Sequence, residues 1–143
     1  MVPTAGPLGV LCSMHPRWAE EILAGRKSVE IRRRPPTLER PLPMLLYATR
    51  PVGAVVGHCV AKAVVRASAE RLWTVAGAHS AMTAGEFARY LDDAPAPGAI
   101  EIVAPHMLSV PLPLRFRPPQ SWMWLLSEER LHVELLHSVT TES

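Results

Sequence analysis

Apolar and polar positions follow two different periods along the chain, which predicts strands interleaved with helices. Residues 8–14 form an apolar run that indicates a first buried strand. A helix is predicted to begin at Pro16, which suits a first helical turn because its missing N–H is not needed there. Trp18 and Ile22 share one face of this helix, and Gly25 is its expected end.

The segment SVEIR, which follows this helix, alternates polar with apolar residues and is typical of a half-buried strand. In such a strand Val29 and Ile31 face the core. The opposite, exposed side then carries Ser28, Glu30, Arg32 and Arg34.

The rest of the chain predicts a small barrel with helices on its surface. Further strands are predicted at 44–49, 54–66, 99–103 and 108–117, and further helices at 69–75, 84–91 and 126–136. Thr83 is a good N-cap, and Glu86 completes a capping box. Gly57 marks a place where a strand can bend or bulge. The order of elements does not fit a βαβ dinucleotide-binding fold. We therefore expect one α+β domain over residues 1–143, a small, mostly antiparallel β-barrel decorated by helices.

Composition narrows the class of protein. With 143 residues, 48% of them hydrophobic and 20% charged, the chain is neither disordered nor a coiled coil. Its apolar runs are too short to cross a bilayer, and no basic residue precedes the first of them, so neither a membrane span nor a secretory signal is expected. Cys12 and Cys59 lie in strand-like runs without metal-ligand spacing. We expect them to be reduced core residues of a cytoplasmic protein.

The net charge of +2 hides an uneven distribution. Between Arg26 and Arg50 basic residues outnumber acidic ones, whereas the tail after Ser127 is rich in glutamate. This pattern predicts a local anion-binding face in the first third, and a solvated, arginine-rich strand edge explains it equally well. The histidines show no metal-binding spacing, so no metal or other cofactor is expected. His15 is the one histidine placed to serve there as an acid or base.

Three segments are informative together: SMHPRWAEEILAGRKSVEIRRR (13–34), LLYATRPVGAVVGHCVAKAV (45–64) and RPPQSWMWL (117–125). The first contains the pattern G-x-K-x-x-E-x-R. Their order resembles the ASCH family of the PUA-like superfamily over about residues 8–126. The resemblance implies a PUA-like barrel with a cleft beside the first helix. It also implies a function connected with RNA or other nucleic acid, in transcription or RNA metabolism.

The resemblance also implies roles for individual residues. Lys27 matches the cleft lysine of the family, and Glu30 and Arg32 match the pair common in its regulator-like branch. In the amidohydrolase branch, which deacetylates modified cytidine, a threonine nucleophile stands at the position of Glu30. The acidic partner of that branch is also missing, since Ser80 and Ala81 stand where we align it. Another branch is described as having ribonuclease activity, so the resemblance leaves open whether the chain is an enzyme.

The residues themselves allow a nucleic-acid site in the first third of the chain. The cations that can pair with phosphate there are Lys27, Arg32, Arg33 and Arg34. Glu30 either holds Lys27 or Arg32 in place, or it accepts a hydrogen bond from a base amino group, as carboxylates do with cytosine. The alternative is a surface ladder of charges that contributes little energy.

Residues outside this segment extend the candidate site. Tyr47 either stacks within the cleft or belongs to the core. Trp122 would share a strand face with Trp124, and it either stacks on an unpaired base or belongs to the core or rim. Gln120 and Ser121 offer an amide and a hydroxyl to a base edge, or they satisfy the backbone of a turn.

Three functions remain open at this point. The first is a non-catalytic binder of RNA, DNA or a nucleotide in a basic cleft. The alternative is a nuclease or an amidohydrolase acting on RNA or on a modified nucleoside such as acetylated cytidine. Lys27 would then be the general base or electrostatic stabiliser, and Glu30 its acid–base partner. The third is a protein-interaction module that docks a partner on the acidic C-terminal helix, and the sequence does not define the oligomeric state.

Overall fold

The computed structural model of the chain describes residues 6–141, which form a six-stranded sheet with four α-helices. The strands are β1 (Gly9–Met14), β2 (Val29–Arg32), β3 (Leu42–Ala48), β4 (Ala54–Arg66), β5 (Gly98–Leu112) and β6 (Trp122–Leu125). The helices are α1 (Pro16–Leu23), α2 (Ala69–Ala76), α3 (Ala84–Tyr90) and α4 (Arg130–Thr140). None of these helices is both long enough and apolar enough to cross a membrane.

The sheet is mostly antiparallel and curls into half of a barrel. Its strand order is β2-β5-β4-β3-β1-β6, in which β1 and β3 run parallel and the other neighbours run antiparallel. The edge strands β2 and β6 are not neighbours in the sheet, yet Arg32 at the end of β2 hydrogen-bonds to Ser121 directly before β6. The predicted α+β class is therefore confirmed, whereas the predicted barrel is only half closed. Side chains rather than a strand ladder connect its two edges.

Several local signals in the sequence lead to the expected local structure. Gly25 follows α1 with a φ of +81°, a value that glycine adopts without steric strain. Thr83 and Glu86 form the predicted capping box at the start of α3. Gly57 lies at an irregularity in the pairing of β4 with β5. All three predictions are confirmed, and the first two concern features that depend on only a few neighbouring residues.

The strands predicted at 99–103 and 108–117 have the wrong boundaries, because they form one strand, β5, which ends at Leu112. The pairing of β5 with β4 shifts its register between His58 and Val60, opposite Pro105. A bulge at this point lets the strand continue past a proline, which cannot donate a ladder hydrogen bond.

The C-terminal helix begins at Arg130 rather than at residue 126. The residues before it form a turn, in which the N–H of Leu126 donates to Nδ1 of His132 at 3.1 Å. The apolar periodicity that predicts a helix from 126 therefore spans this turn as well as the helix.

Apolar side chains cover both faces of the central strands. Cys12 in β1 and Met44 in β3 belong to a cluster that packs against α1. Their neighbours Leu11 and Leu45 belong to a second cluster, which packs against α4. Cys12 and Cys59 are buried free thiols, as predicted, and burial raises the pKa of Cys12 to about 11.

Strand β2 is buried on both sides, which contradicts the prediction that Glu30 and Arg32 face solvent. Val29 and Ile31 pack against α2 and α3 in a third apolar cluster. Glu30 and Arg32 alternate with them and are only 5% and 7% exposed. The predicted alternation is correct, but it does not reveal that the curl of the sheet covers the second side as well.

Candidate functional site

A cavity of about 220 Å³ lies where the end of β1 meets α1, β2 and α3. Its polar wall consists of Ser13, His15, Lys27, Glu30 and Arg32. Its apolar wall consists of Met14, Trp18, Ile31, Met82 and Tyr90. We single it out over an apolar cavity of about 370 Å³ beside α1 because it contains three buried charged side chains.

Lys27 is almost completely buried, with 2% of its surface exposed. The turn at Gly25 brings it back under α1, and its N–H donates to the carbonyl oxygen of Glu21 at 3.0 Å. Its ammonium group donates to the carbonyl oxygen of Ser80 at 2.5 Å and lies 3.9 Å from Oε1 of Glu30. Burial lowers the pKa of Lys27, while the negative charge of Glu30 opposes that shift. Lys27 therefore releases its proton more readily than an exposed lysine does.

Glu30 is held between two cations without a close hydrogen bond to either. Its Oε1 lies 3.9 Å from Nζ of Lys27, and its Oε2 lies 3.6 Å from Nη2 of Arg32. Both distances exceed the range of about 2.7–3.2 Å that is typical of N–H···O hydrogen bonds. Oε2 is buried and accepts no hydrogen bond from the part of the chain that the structure describes. The carboxylate is therefore held mainly by the charges of its two neighbours rather than by close hydrogen bonds.

Arg32 connects three parts of the half-barrel. Its Nη2 donates to the carbonyl oxygen of Ser13 in β1 at 2.9 Å. Its Nη1 donates to the carbonyl oxygen and to Oγ of Ser121, at 3.3 and 3.1 Å. Most of the hydrogen-bonding capacity of this guanidinium is thus used within the protein, which makes Arg32 a clasp across the open edge of the sheet.

The mouth of the cavity carries exposed groups from the start of α1. Arg17 places its guanidinium carbon 4.2 Å from the ring centroid of Trp18 and pairs with Glu86 of α3 at 2.8 Å. The hydrogen bond from Arg17, together with that from Thr83, lowers the pKa of Glu86 to about 2. His15 is exposed at the N-cap of α1, and its Nδ1 accepts a hydrogen bond from the N–H of Arg17 at 3.0 Å.

Two of the predicted arginines lie beside the cavity rather than in its wall. Arg33 is exposed and donates to the carbonyl oxygens of Tyr90 and Asp92 at 2.8 and 2.7 Å. It therefore fixes the end of α3, from which Tyr90 contributes to the cavity. Arg34 is also exposed, and its carbonyl oxygen accepts a hydrogen bond from the indole of Trp122 at 2.9 Å.

The remaining predicted residues are placed differently. Trp122 packs edge-on against Trp124 with their centroids 5.1 Å apart, so the two share a face as predicted. Tyr47 is half-buried in the cluster packed against α4. Gln120 is exposed in the turn before β6, and Ser121 reaches the site through its contacts with Arg32. The structure thus brings Lys27, Glu30 and Arg32 together. The binding roles of these three and of the other predicted residues stay predictions.

Sequence reasoning missed several residues of this cavity. The helical pattern places Trp18 on the face that it shares with Ile22, but it does not indicate that the ring centroid of Trp18 lies 4.7 Å from Nζ of Lys27. Trp18 and Lys27 are separated only by the rest of α1 and the turn after it, so their proximity is a local feature of the chain. Tyr90 comes from a distant part of the chain, and no local pattern indicates that it meets β2. Ser80, which the sequence analysis aligns with the acidic partner of the amidohydrolase branch, reaches the site by accepting a hydrogen bond from Lys27. Among residues 6–141, no group of three or more His, Cys, Asp and Glu side chains is arranged to hold a metal ion.

Comparisons with known proteins agree on one family. The sequence profile of the ASCH domain matches residues 12–108. An ASCH domain-containing ribonuclease from Zymomonas mobilis subsp. mobilis is 31% identical over 125 residues, which cover 82% of this chain and 84% of that protein. The crystal structure of ASCH from Zymomonas mobilis aligns with a TM-score of 0.82 at 27% identity, covering 95% of this chain and 96% of the other.

A more distant neighbour shares the fold alone. The N-terminal domain of Staphylothermus marinus McrB aligns with a TM-score of 0.52 at 11% identity, covering 96% of this chain and 99% of that domain. Because the ASCH profile spans more than half of the chain, the resemblance noted in the sequence is confirmed. The chain belongs to the ASCH domain family.

Proposed function

We propose that this protein binds single-stranded RNA and takes one unpaired base into the cavity formed by Lys27, Glu30 and Arg32. The observation that carries the proposal is the burial of these three charges around an open space of about 220 Å³. Burying charged groups in this way destabilises a fold unless they are well paired, so such clusters are frequent at functional sites. The similarity to a ribonuclease favours RNA as the ligand.

The charges favour a base rather than a phosphate inside the cavity. A phosphate group would have to approach the buried carboxylate of Glu30, which repels it. A base, in contrast, offers N–H groups that a carboxylate accepts and ring faces that stack on aromatic side chains. Trp18 and Tyr90 supply aromatic walls for this stacking.

Phosphates would then lie outside, where exposed arginines lie on or next to the elements that form the cavity. Arg17 stands beside the cavity on α1, while Arg33 and Arg34 follow β2. Contacts with two or three phosphates give a slope of about −1.4 to −2.1 for the logarithm of the binding constant against the logarithm of the salt concentration. A protein of this type would take part in RNA metabolism. A role in transcription is the alternative, because Glu30 and Arg32 match the pair that is common in the regulator-like branch of the family.

The test is fluorescence-polarisation binding of one labelled RNA sequence as a single strand, as a duplex, and as the matching DNA strand. Single-stranded RNA should bind best, because a paired base cannot enter the cavity. Lys27→Met should weaken this binding at least tenfold, and Lys62→Met, at the other lysine of the chain, serves as the matched control because Lys62 is exposed on β4. Equal binding of duplex and single strand, or an unchanged affinity in Lys27→Met, would contradict the proposal.

Ribonuclease activity is the second candidate, and the 31% identity to a ribonuclease favours it. With the base inside, the sugar and phosphate lie at the mouth near the exposed His15. Attack by the 2′-hydroxyl would form the bond from the 2′-oxygen to phosphorus and break the bond to the 5′-oxygen. His15 would take the 2′-hydroxyl proton, and water would protonate the 5′-oxygen.

Gel analysis of the same probes after binding separates the two candidates. A ribonuclease of this kind leaves 2′,3′-cyclic phosphate ends on RNA, does not cut DNA, and loses turnover in His15→Ala while still binding RNA. Intact RNA after prolonged incubation would contradict ribonuclease activity and favour a protein that binds RNA without cleaving it. Loss of turnover in Lys27→Met at saturating RNA would instead assign Lys27 the acid–base role.

A further inference from the structure

A second cavity, of about 270 Å³, lies at the other end of the half-barrel from the candidate site. Ser13, near the end of β1, lines the first cavity, whereas Pro7, directly before β1, and Leu42, at the start of the parallel strand β3, line the second. A strand advances by about 3.3 Å per residue, so about 15–20 Å separate the two cavities. The side chains that give the second cavity its chemistry are Thr37, Glu39, Arg40 and Trp124.

The basic segment 33–40 leads from one cavity to the other. It follows Arg32, which lines the first cavity, and it ends at Arg40, which lines the second. The carbonyl oxygen of Arg34 accepts a hydrogen bond from the indole of Trp122 at 2.9 Å, so the segment lies beside the edge strand β6. The side chains of Arg34 and Arg40 are exposed. Cations thus accompany the open edge of the sheet between the two cavities.

Trp124 gives the second cavity an aromatic wall. Its ring packs edge-on against that of Trp122, with the centroids 5.1 Å apart, and both rings pack against the apolar cluster under α1. These contacts hold the indole in place, while the half-buried side chain still reaches the cavity. A fixed aromatic ring beside a row of cations is the combination with which proteins bind single-stranded nucleic acid, since bases stack on the ring and phosphates pair with the cations.

The charged groups of this cavity favour a base inside and a phosphate outside. Nη2 of Arg40 donates to the carbonyl oxygen of Pro7 at 3.0 Å, and the guanidinium has further N–H groups for a ligand. Glu39 adds an exposed carboxylate to the same wall, which would repel a phosphate that entered the cavity. The same division between base and phosphate applies to the first cavity.

We propose that the second cavity binds another unpaired base of the same RNA strand, stacked on Trp124, with Arg40 in contact with a neighbouring phosphate. This inference rests on the proposed binding of single-stranded RNA, and it adds a second site and the path of the strand. The strand runs from the first cavity along residues 33–40 and β6. At about 3.4 Å per stacked nucleotide, a separation of 15–20 Å requires about six nucleotides.

The test is fluorescence-polarisation binding of labelled oligouridylates from about two to about ten nucleotides long, with intact probes verified on a gel. Probes of about six nucleotides or more should bind about tenfold more tightly than dinucleotides, because they reach both cavities. Trp124→Leu should remove this gain and leave the affinity for dinucleotides unchanged. Trp73→Leu is the matched control, because Trp73 is exposed on α2 and lines neither cavity.

The salt dependence tests the role of Arg40. Arg40→Gln should make the slope of the logarithm of the binding constant against the logarithm of the salt concentration less steep by about 0.7 for long probes, since one phosphate contact to a single strand is lost. Arg71→Gln is the matched control at an exposed arginine of α2 that lines neither cavity. An unchanged slope in Arg40→Gln would refute the phosphate contact.

Photocrosslinking locates the strand on the unaltered protein. A 5-iodouridine at one end of a long probe should crosslink to Trp124, and one at the other end should crosslink to Trp18 or Tyr90 in the first cavity. Crosslinks from both ends that avoid Trp124 would refute the second site.

The outcomes separate the second site from the function on which it rests. Equal affinity for short and long probes, or equal losses in Trp124→Leu and Trp73→Leu, would overturn the second site. Binding of dinucleotides that is lost in Lys27→Met would in that case still support the first cavity. Absence of binding to every probe would overturn both proposals.

Discussion

Replacing Arg32 by alanine is expected to lower the free energy of unfolding by about 3 kcal/mol. Arg32 is 7% exposed and is the cation nearest to Oε2 of Glu30, at 3.6 Å. Removing one partner of a buried ion pair typically costs about 3–5 kcal/mol, because the remaining charge stays buried without compensation. The lower end applies here, since Lys27 still lies 3.9 Å from the carboxylate.

The substitution also removes the clasp across the open edge of the sheet. The carbonyl oxygens of Ser13 and Ser121 lose a charged donor at 2.9 and 3.3 Å. A loss of about 3 kcal/mol is a large part of the 5–15 kcal/mol that is typical of a domain, and it should lower the melting temperature by about 10 °C. Arg32→Lys keeps the charge but lacks the planar fork, so its loss should be intermediate.

Urea and thermal unfolding followed by circular dichroism measure this effect. Arg34→Ala is the matched control, because Arg34 lies two positions further along and is exposed. Its stability should stay within about 0.5 kcal/mol of the original protein. If Arg32→Ala loses less than about 1 kcal/mol, or no more than Arg34→Ala, then the contacts of Arg32 do not hold the half-barrel together.

The remaining predictions concern single buried positions. Burial lowers the pKa of Lys27, so between that lowered value and the usual lysine value the unfolded chain binds more protons. The contribution of Lys27 to the free energy of unfolding therefore rises with pH across this window. Lys27→Met should remove that rise when urea unfolding is measured at several pH values, and an unchanged dependence on pH would contradict this prediction. Because burial raises the pKa of Cys12 to about 11, a thiol reagent at pH 8 should label it only as the protein unfolds, and fast labelling of the native protein would show the thiol to be accessible. A Cβ at Gly57 would lie 2.6 Å from the carbonyl oxygen of His106, so Gly57→Ala should cost about 1–3 kcal/mol in thermal unfolding. Gly85→Ala in α3, where nothing lies within 4 Å, should instead stabilise the protein slightly, and equal effects would refute this difference.

Local signals in the sequence predict much of the fold. The capping box of Thr83 and Glu86 and the helix end at Gly25 each depend on a few consecutive residues. The continuous course of β5 could not be predicted in the same way. Whether Pro105 ends the strand or is absorbed by a bulge is decided by β4, which lies distant in sequence.

The candidate site depends even more on contacts between distant segments. The alternation in β2 correctly separates Glu30 and Arg32 from Val29 and Ile31, but it cannot tell which sides are covered. Both sides are covered because α2 and α3 pack on one, while the curl of the sheet brings Ser13 and Ser121 to the other. Polarity alone predicts that Glu30 and Arg32 are exposed, whereas the topology of the sheet buries them.

The burial of Lys27, Glu30 and Arg32 is itself an argument for function. A core that served stability alone would be at least as stable with apolar side chains of similar volume at these positions. Arg32 has a structural role through its contacts with Ser13 and Ser121, but the ammonium of Lys27 is held at a cost in desolvation, which its lowered pKa reflects. A Lys27→Met protein that is as stable as the original at pH 7 and yet fails to bind RNA would show that the charge is retained for the ligand. A Lys27→Met protein that unfolds would show instead that the positive charge of Lys27 is needed to neutralise Glu30 within the fold.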